Sequence, residues 1–376
     1  MSSLFVIVVF TVLAHLGRLD WLLMGAVFLL MGIGLMSLSS LSGVSQFAFF
    51  QRQLIWAGIG VMALLAASLL DFRLFRTQSV AVLLLYLVSM VLLVLVLVVG
   101  AHIRGIKAWF EVGGVAVQPV ELAKLALVIL LAKFFSKRHI EIYRVRHLLV
   151  SGVYLALPAS LVLLQPDLGS AIVLIAIWLA VVLFSGMKLR HFFFLVMLGA
   201  IGMFVAWQFG LAPYQKARLV SFIDPWRDPQ GAGYQMIQSM IAVGSGKIWG
   251  KGLGYGSQSH LHFLPEPQTD FIFAAYAEEW GFVGIIILLG LFGVVLWRII
   301  RIGILASDNF SRLYTLGFAA LIFTQTFIHI GMNMGVLPIT GITLPFVSYG
   351  GSSLVTLMIG IGIVQNIRIN ARRDVD

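Results

Sequence analysis

Ten apolar runs decide what this chain can fold into. They lie at 21–41, 54–70, 79–99, 119–135, 147–165, 168–185, 191–210, 271–297, 313–334 and 344–367. A helix needs about 17–25 mostly apolar residues to cross the hydrocarbon core of a bilayer, and inside lipid the backbone must satisfy its own hydrogen bonds. The runs therefore predict an all-α, polytopic membrane protein of about ten transmembrane helices, a single integral membrane domain over 1–376. Composition agrees, with 60% of the 376 residues hydrophobic and 11% charged, against about 45–50% and about 25% in soluble domains.

Charge orients the spans. If the first begins inside the cell, alternation places the segments around 71–78, 134–147, 186–191, 298–312 and 368–376 in the cytoplasm, and most of the Lys and Arg lie there. Positive-inside bias then puts both termini in the cytoplasm. The surplus on that side equals the +10 of the whole chain, so the basic balance needs no nucleic acid, whose binding would want a basic patch on a soluble surface. Residues 1–18 form a short apolar extension with no basic stretch ahead of 4–14, which reads as an interfacial or tucked segment rather than a cleaved signal. The chain has no cysteine, excluding disulfides and thiolate metal sites.

Most connections are short, so the 60 residues at 211–270, on the non-cytoplasmic side ahead of the eighth span, stand out. Loops of this length are usually functional or disordered. Its aromatics and the apolar periodicity from Tyr234 to Val243 predict order, including a short amphipathic helix along the membrane surface. A second outward loop, Gly100–Gln118, reads as interfacial, and a third, Gly335–Tyr349, ends in Tyr349-Gly-Gly-Ser-Ser353. The glycines between Gly244 and Gly256 satisfy neither phosphate-loop pattern and read as turn residues.

Four of the fifteen carboxylates, Glu266, Asp270, Glu278 and Glu279, crowd where the long loop enters the eighth span, with no Lys or Arg between Lys251 and Arg298. Acids at the edge of a bilayer are costly and mark functional sites by default. Thr269-Asp270 suits a helix N-cap, and the same carboxylate can serve as cap and as reacting group. Glu121 and Lys124, three apart, share one face of the fourth span and read either as an interfacial pair or as the lining of a polar cavity. Asp167 sits in the Gln165-Pro-Asp-Leu-Gly169 turn. Arg52, Lys216 and Arg218 are among the outward cations that could meet an anionic substrate. His260-Leu-His262 with Glu266 offers a weak candidate cation site.

Together the motifs Gln118-Pro-Val-Glu-Leu-Ala-Lys124, Gln165-Pro-Asp-Leu-Gly169, Asp228-Pro-Gln-Gly-Ala-Gly-Tyr-Gln235, Phe263-Leu-Pro-Glu266 with Thr269-Asp-Phe-Ile-Phe-Ala274, and Leu344-Pro-Phe-Val-Ser-Tyr-Gly-Gly-Ser-Ser353 resemble the SEDS family of bacterial shape, elongation, division and sporulation proteins. The likeness is greatest to its rod-shape branch, RodA. The division branch, FtsW, shares most of these motifs, and Val336-Leu-Pro-Ile-Thr-Gly-Ile-Thr-Leu-Pro345 lacks the Thr-Lys-Gly associated with it. The resemblance implies a peptidoglycan glycosyltransferase of the bacterial cytoplasmic (inner) membrane, polymerising lipid II during cell elongation with its active site facing the extracytoplasmic side. Asp270 matches the carboxylate the family requires. Glu121 and Lys124 match a polar pair of its central cavity, Asp167 a further acidic position and Arg52 a basic residue near the outer end of the second span. Lys216, Arg218, Glu266 and Ser348 complete the expected substrate-binding set. The implied partners are a class B penicillin-binding protein and the elongation machinery. Pyrophosphate leaves as an anion, so cations or a divalent ion, Mg²⁺ or Mn²⁺, could meet its charge. A lipid II flippase and a non-catalytic scaffold are the alternatives. Polymer formation by the purified protein separates them.

Overall fold

A computed structural model describes residues 15–41, 47–103, 106–112, 115–137, 145–210, 213–231, 233–261 and 263–373. The N-terminal extension before His15 therefore falls outside the described residues, as does His262. Each of the ten apolar runs contains a helix: α1 Trp21–Ser40, α2 Phe47–Leu69, α4 Ser79–Val99, α5 Pro119–Ser136, α6 Val145–Leu164, α7 Leu168–Phe184, α8 Leu189–Val205, α12 Ile272–Leu305, α13 Asn309–Asn333 and α14 Gly351–Arg373. A short α3, Arg73–Thr77, precedes α4. Seven are long and apolar enough to cross a membrane. The other three are α5, which carries Glu121, Lys124 and Lys133, and the shorter α7 and α8. The fold is thus a polytopic helical membrane protein.

Helix α5 is buried on nearly every face from Pro119 to Phe135. An apolar helix enclosed all round belongs in the middle of a bundle, and α5 packs against α4, α7 and α13. α13 and α14 are also mostly buried, whereas α4 and α6 turn most of their surface outward. Their exposed Leu and Val side chains, among them Leu84, Val91, Val98 and Leu157, suit a lipid surround. At the predicted cytoplasmic end, buried Asp20 caps α1 through Leu23 N–H at 3.2 Å and accepts from Arg298 Nε at 2.9 Å. Asn366 of α14 donates to Ser68 O, closing the same end.

One loop departs from the all-α expectation. Ala101–Ile103 (β1), Ile106–Val112 (β2) and Val115–Val117 (β3) form an antiparallel three-stranded sheet, with Phe110 opposite Val117 and Val112 opposite Val115. Its Ile, Val, Trp and Phe content and the Gly113-Gly114 pair are hairpin signals that a helix-period reading passes over. The described residues of the long loop carry helices α9 Pro213–Ile223, α10 Tyr234–Ser245 and α11 Ser257–His260 and a 3₁₀ turn at Pro225–Arg227. α10 buries Met236, Ile237, Ser239 and Ala242 and packs against α12 and α13.

Candidate functional site

Asp270 lies in a turn closed by Glu266 O, which accepts from Thr269 N–H at 3.2 Å and Phe271 N–H at 3.4 Å. It does not occupy the N-cap: α12 begins at Ile272, with Phe271 in the cap position and no side-chain cap from it. The capping oxygen comes from another helix, because Asn333 Oδ1 of α13 accepts from Ala274 N–H at 3.3 Å. Three successive carbonyls, those of residues 268–270, are held from outside the turn. Gln268 O accepts from Tyr349 N–H at 2.9 Å, Thr269 O from Ser348 Oγ at 2.8 Å, and Asp270 O from Asn333 Nδ2 at 3.0 Å. A carboxylate on a backbone clamped at three successive carbonyls is preorganised.

The loop Gly335–Tyr349 forms the facing wall. Gly341 has φ +74°, and a Cβ there would stand 3.6 Å from Asp270 Oδ2. The absent side chain therefore leaves room directly before the carboxylate. Buried His329 of α13 holds this loop through Nδ1 to Ile342 O at 2.6 Å. The loop also covers the Asp167 turn, since a Cβ on Gly169 would meet Ile342 Cγ1 at 2.7 Å. Asp167 caps α7, accepting from Ser170 N–H at 2.9 Å, and lies within electrostatic reach of Lys124 and Glu121. Lys124 Nζ donates to Glu121 Oε1 at 2.8 Å, both side chains being almost wholly enclosed. Glu121 and Lys124 are thus buried, with the half-buried Asp167 nearby at a turn packed under the loop whose Gly341 faces Asp270. Strained backbone gathers around the same loops: Glu266 has φ +51° and Phe346 φ +64°, a left-handed region that non-glycine residues occupy only where the surroundings enforce it.

Glu278 and Glu279, the deeper pair of the acidic cluster, organise the long loop. Glu278 is fully buried and accepts from Lys251 Nζ at 2.7 Å, Gln258 N–H at 3.0 Å and Ser259 N–H at 3.3 Å. Glu279 accepts from Ser40 Oγ and from Gly254 N–H at 3.1 Å, and lies 3.4 Å from His260 Nε2. The helix itself breaks at Gly281, whose φ of +63° and ψ of −162° interrupt the α-helical ladder. The loop backbone fills that break. Lys251 and Gly252 N–H donate to Glu278 and Glu279 O, each at 3.0 Å, and Phe282 and Val283 N–H donate to Lys247 O at 2.9 Å and Ile248 O at 3.1 Å. Irregular backbone in a membrane span is tolerated where protein buries it and supplies its hydrogen bonds.

The remaining expected residues are placed less closely. Arg52 is exposed near the start of α2, next to buried Gln53, whose side chain donates to Ser348 O at 3.3 Å and accepts from Gly350 N–H at 3.2 Å. Lys216 stands over the Trp207 ring, 5.9 Å from its centre, and the Arg218 side chain lies outside the described residues. Glu266 Oε2 accepts from Gln268 Nε2 at 2.7 Å. The Ser348 hydroxyl is committed to backbone on both sides, accepting from Leu344 N–H at 2.8 Å while donating to Thr269 O. That arrangement suits an anchor for the Asp270 turn better than a group facing substrate. Among the described residues no cluster of three or more His, Asp or Glu could hold a metal ion, and His260 turns to Glu279 rather than Glu266. Gln53, His329 and Asn333 were not singled out in the sequence. The available signal was a polar side chain inside or bordering an apolar run.

A family model described as a cell cycle protein, FtsW/RodA/SpoVE, matches residues 15–373. This chain belongs to that family. It is 41% identical over 358 residues to stage V sporulation protein E of Bacillus subtilis, covering 93% of this chain and 96% of that one. It is 41% identical over 288 residues to the peptidoglycan glycosyltransferase MrdB of Escherichia coli, covering 77% and 78%. Among solved structures, a chain from a peptidoglycan synthase complex, described for its coordination of polymerisation and crosslinking, superposes with a TM-score of 0.79 at 34% identity over 95% of this chain and 99% of that one. Equal identity to a sporulation protein and to MrdB means that overall similarity does not separate the branches of the SEDS family.

Proposed function

We propose that this family member is a peptidoglycan glycosyltransferase of the bacterial inner membrane that polymerises lipid II, with Asp270 as general base at an extracytoplasmic site. The observation that carries the role of Asp270 is its seat: a carboxylate on a turn held at three successive carbonyls, faced by the bare backbone of Gly341. A sugar hydroxyl is a weak nucleophile at neutral pH, and a positioned carboxylate within hydrogen-bond reach can take its proton as the bond to the anomeric carbon forms. The leaving pyrophosphate departs as an anion and needs positive charge rather than a proton donor. One essential acid therefore suffices, unlike the two carboxyl groups of glycosidases.

Lys124 with Glu121 and Asp167 supplies a buried polar lining, and Arg52, Lys216 and Arg218 are the candidates for meeting the pyrophosphate, alone or with a divalent ion. The polymer still needs crosslinking, and the likeness to a chain from a synthase complex that couples the two activities supports a class B penicillin-binding protein as partner. Purified protein given lipid II tests the reading: Asp270→Asn is expected to leave no detectable glycan polymer while remaining folded. Polymer from that variant at the wild-type rate would refute the general base.

A further inference from the structure

We infer that Asn333 is a positioning residue for glycan transfer, its carboxamide setting where the Asp270 carboxylate stands; this rests on the reading of Asp270 as the base. Asn333 is fully buried at the C-terminal end of α13. A primary amide offers two N–H donors and two oxygen lone pairs, and both donors and one lone pair are committed. Nδ2 donates to Asp270 O at 3.0 Å and to His329 O at 2.8 Å, while Oδ1 accepts from Ala274 N–H at 3.3 Å. The Ser239 hydroxyl donates to Asn333 O at 2.9 Å and lies 3.3 Å from Oδ1. The bond to His329 O, one turn back on the same helix, fixes the amide plane, and Ser239 of α10 ties down the Asn333 backbone beside it. The other two bonds then fix the start of α12 on both sides of Phe271.

This reverses the usual economy of a helix start, where a side chain just ahead of the first turn does the capping. Asn333 takes over that task from a neighbouring helix and grips the carbonyl of the reacting residue in the same contact. The same turn of α13 also sets the opposite wall, because His329 holds Ile342 O beside Gly341. Carboxylate and facing loop are thereby referred to one rigid element, as a site that must hold its geometry closely requires.

The test compares purified Asn333→Ala, Asp270→Asn and Asn366→Ala, assayed with lipid II and normalised to folded protein. Asn366 is the control, a buried amide that likewise ties helices together through backbone contacts, but at the other end of the bundle. Misplacing a catalytic group by about 1 Å costs about 100-fold. Asn333→Ala is accordingly expected to lower kcat about 10- to 100-fold with KM changed less than about 3-fold, the pattern of a lost transition-state contribution. Asn366→Ala is expected to lower the melting temperature while keeping kcat. If Asn333→Ala does not fold, Asn333→Asp, which keeps the oxygen facing Ala274 but removes the amide N–H groups, takes its place with the same expectation. Wild-type kcat in the folded Asn333 variant beside an inactive Asp270→Asn would overturn the inference and leave the Asp270 reading intact. Wild-type turnover by Asp270→Asn would overturn both.

Discussion

Replacing Gly281 by alanine is expected to detach the long loop from α12 and to destabilise the protein severely. The added methyl would collide with Gly250 N and stand 2.6 Å from Ile248 O and 2.8 Å from Gly246 O, so the loop must retreat. Retreat removes the four backbone hydrogen bonds that fill the break. At about 0.5–1.5 kcal/mol net for each, their loss amounts to about 2–6 kcal/mol. Holding a non-glycine residue at φ +63° and ψ −162° adds about 1–3 kcal/mol. The total is comparable with the whole stability of a typical domain, about 5–15 kcal/mol. Thermal unfolding in detergent, read beside limited proteolysis of the segment 246–256, measures both consequences. Gly290→Ala in the same helix, where a Cβ meets nothing within 4 Å, is the control and is expected to be neutral or mildly stabilising. Since 1 kcal/mol moves a domain of 150–250 residues by about 2–4 °C, a Gly281→Ala protein that melts within about 2 °C of wild type, with its loop equally resistant to protease, would refute the role of the loop in filling the break.

Lys124→Ala is expected to cost about 3–5 kcal/mol by leaving Glu121 buried without its cation, whereas Lys124→Met with Glu121→Leu restores the melting temperature but not polymerisation; recovered polymerisation would make the pair purely structural. Gly341→Ala, strained at φ +74° and placing a methyl 3.6 Å from Asp270 Oδ2, is expected to lower kcat at least about 10-fold by taking space that the reacting hydroxyl needs before the carboxylate, and a wild-type rate would show that the facing wall does not touch the substrate. Because the chain has no cysteine, Phe263→Cys gives a clean topology probe at an exposed position near Asp270. It is expected to react with an impermeant thiol reagent added outside intact spheroplasts, and labelling only after lysis would reverse the orientation.

How far the chain could be read before its structure was known follows from the range of the forces involved. Burial of apolar surface in lipid acts locally along a segment, so the ten runs announce ten helices and Asp270 stands out as an acid beside one of them. Proline at the first position of α5 and the periodicity of Tyr234–Val243 are likewise local signals, and both helices begin as those signals indicate. The sheet at 101–117 was missed because three- to seven-residue strands carry little pattern of their own and depend on one another for pairing. The partners of Glu278 and Glu279 were beyond reach for a different reason. Their donors lie 19 to 27 residues away in the loop, with Ser40 farther still, and only the break at Gly281 brings that loop into the helix.

By itself, then, the order of residues determined a membrane-embedded helical bundle of a recognisable family and one acid worth testing, because hydropathy and contiguous motifs depend on neighbours in the chain. Tertiary structure alone decided what surrounds that acid. Asn333, Ser348 and Gly341, 63 to 79 residues downstream, meet Asp270 or its turn only after α13 and the loop Gly335–Tyr349 have packed against α12, and no local preference encodes hydrogen bonds that exist only once those elements touch.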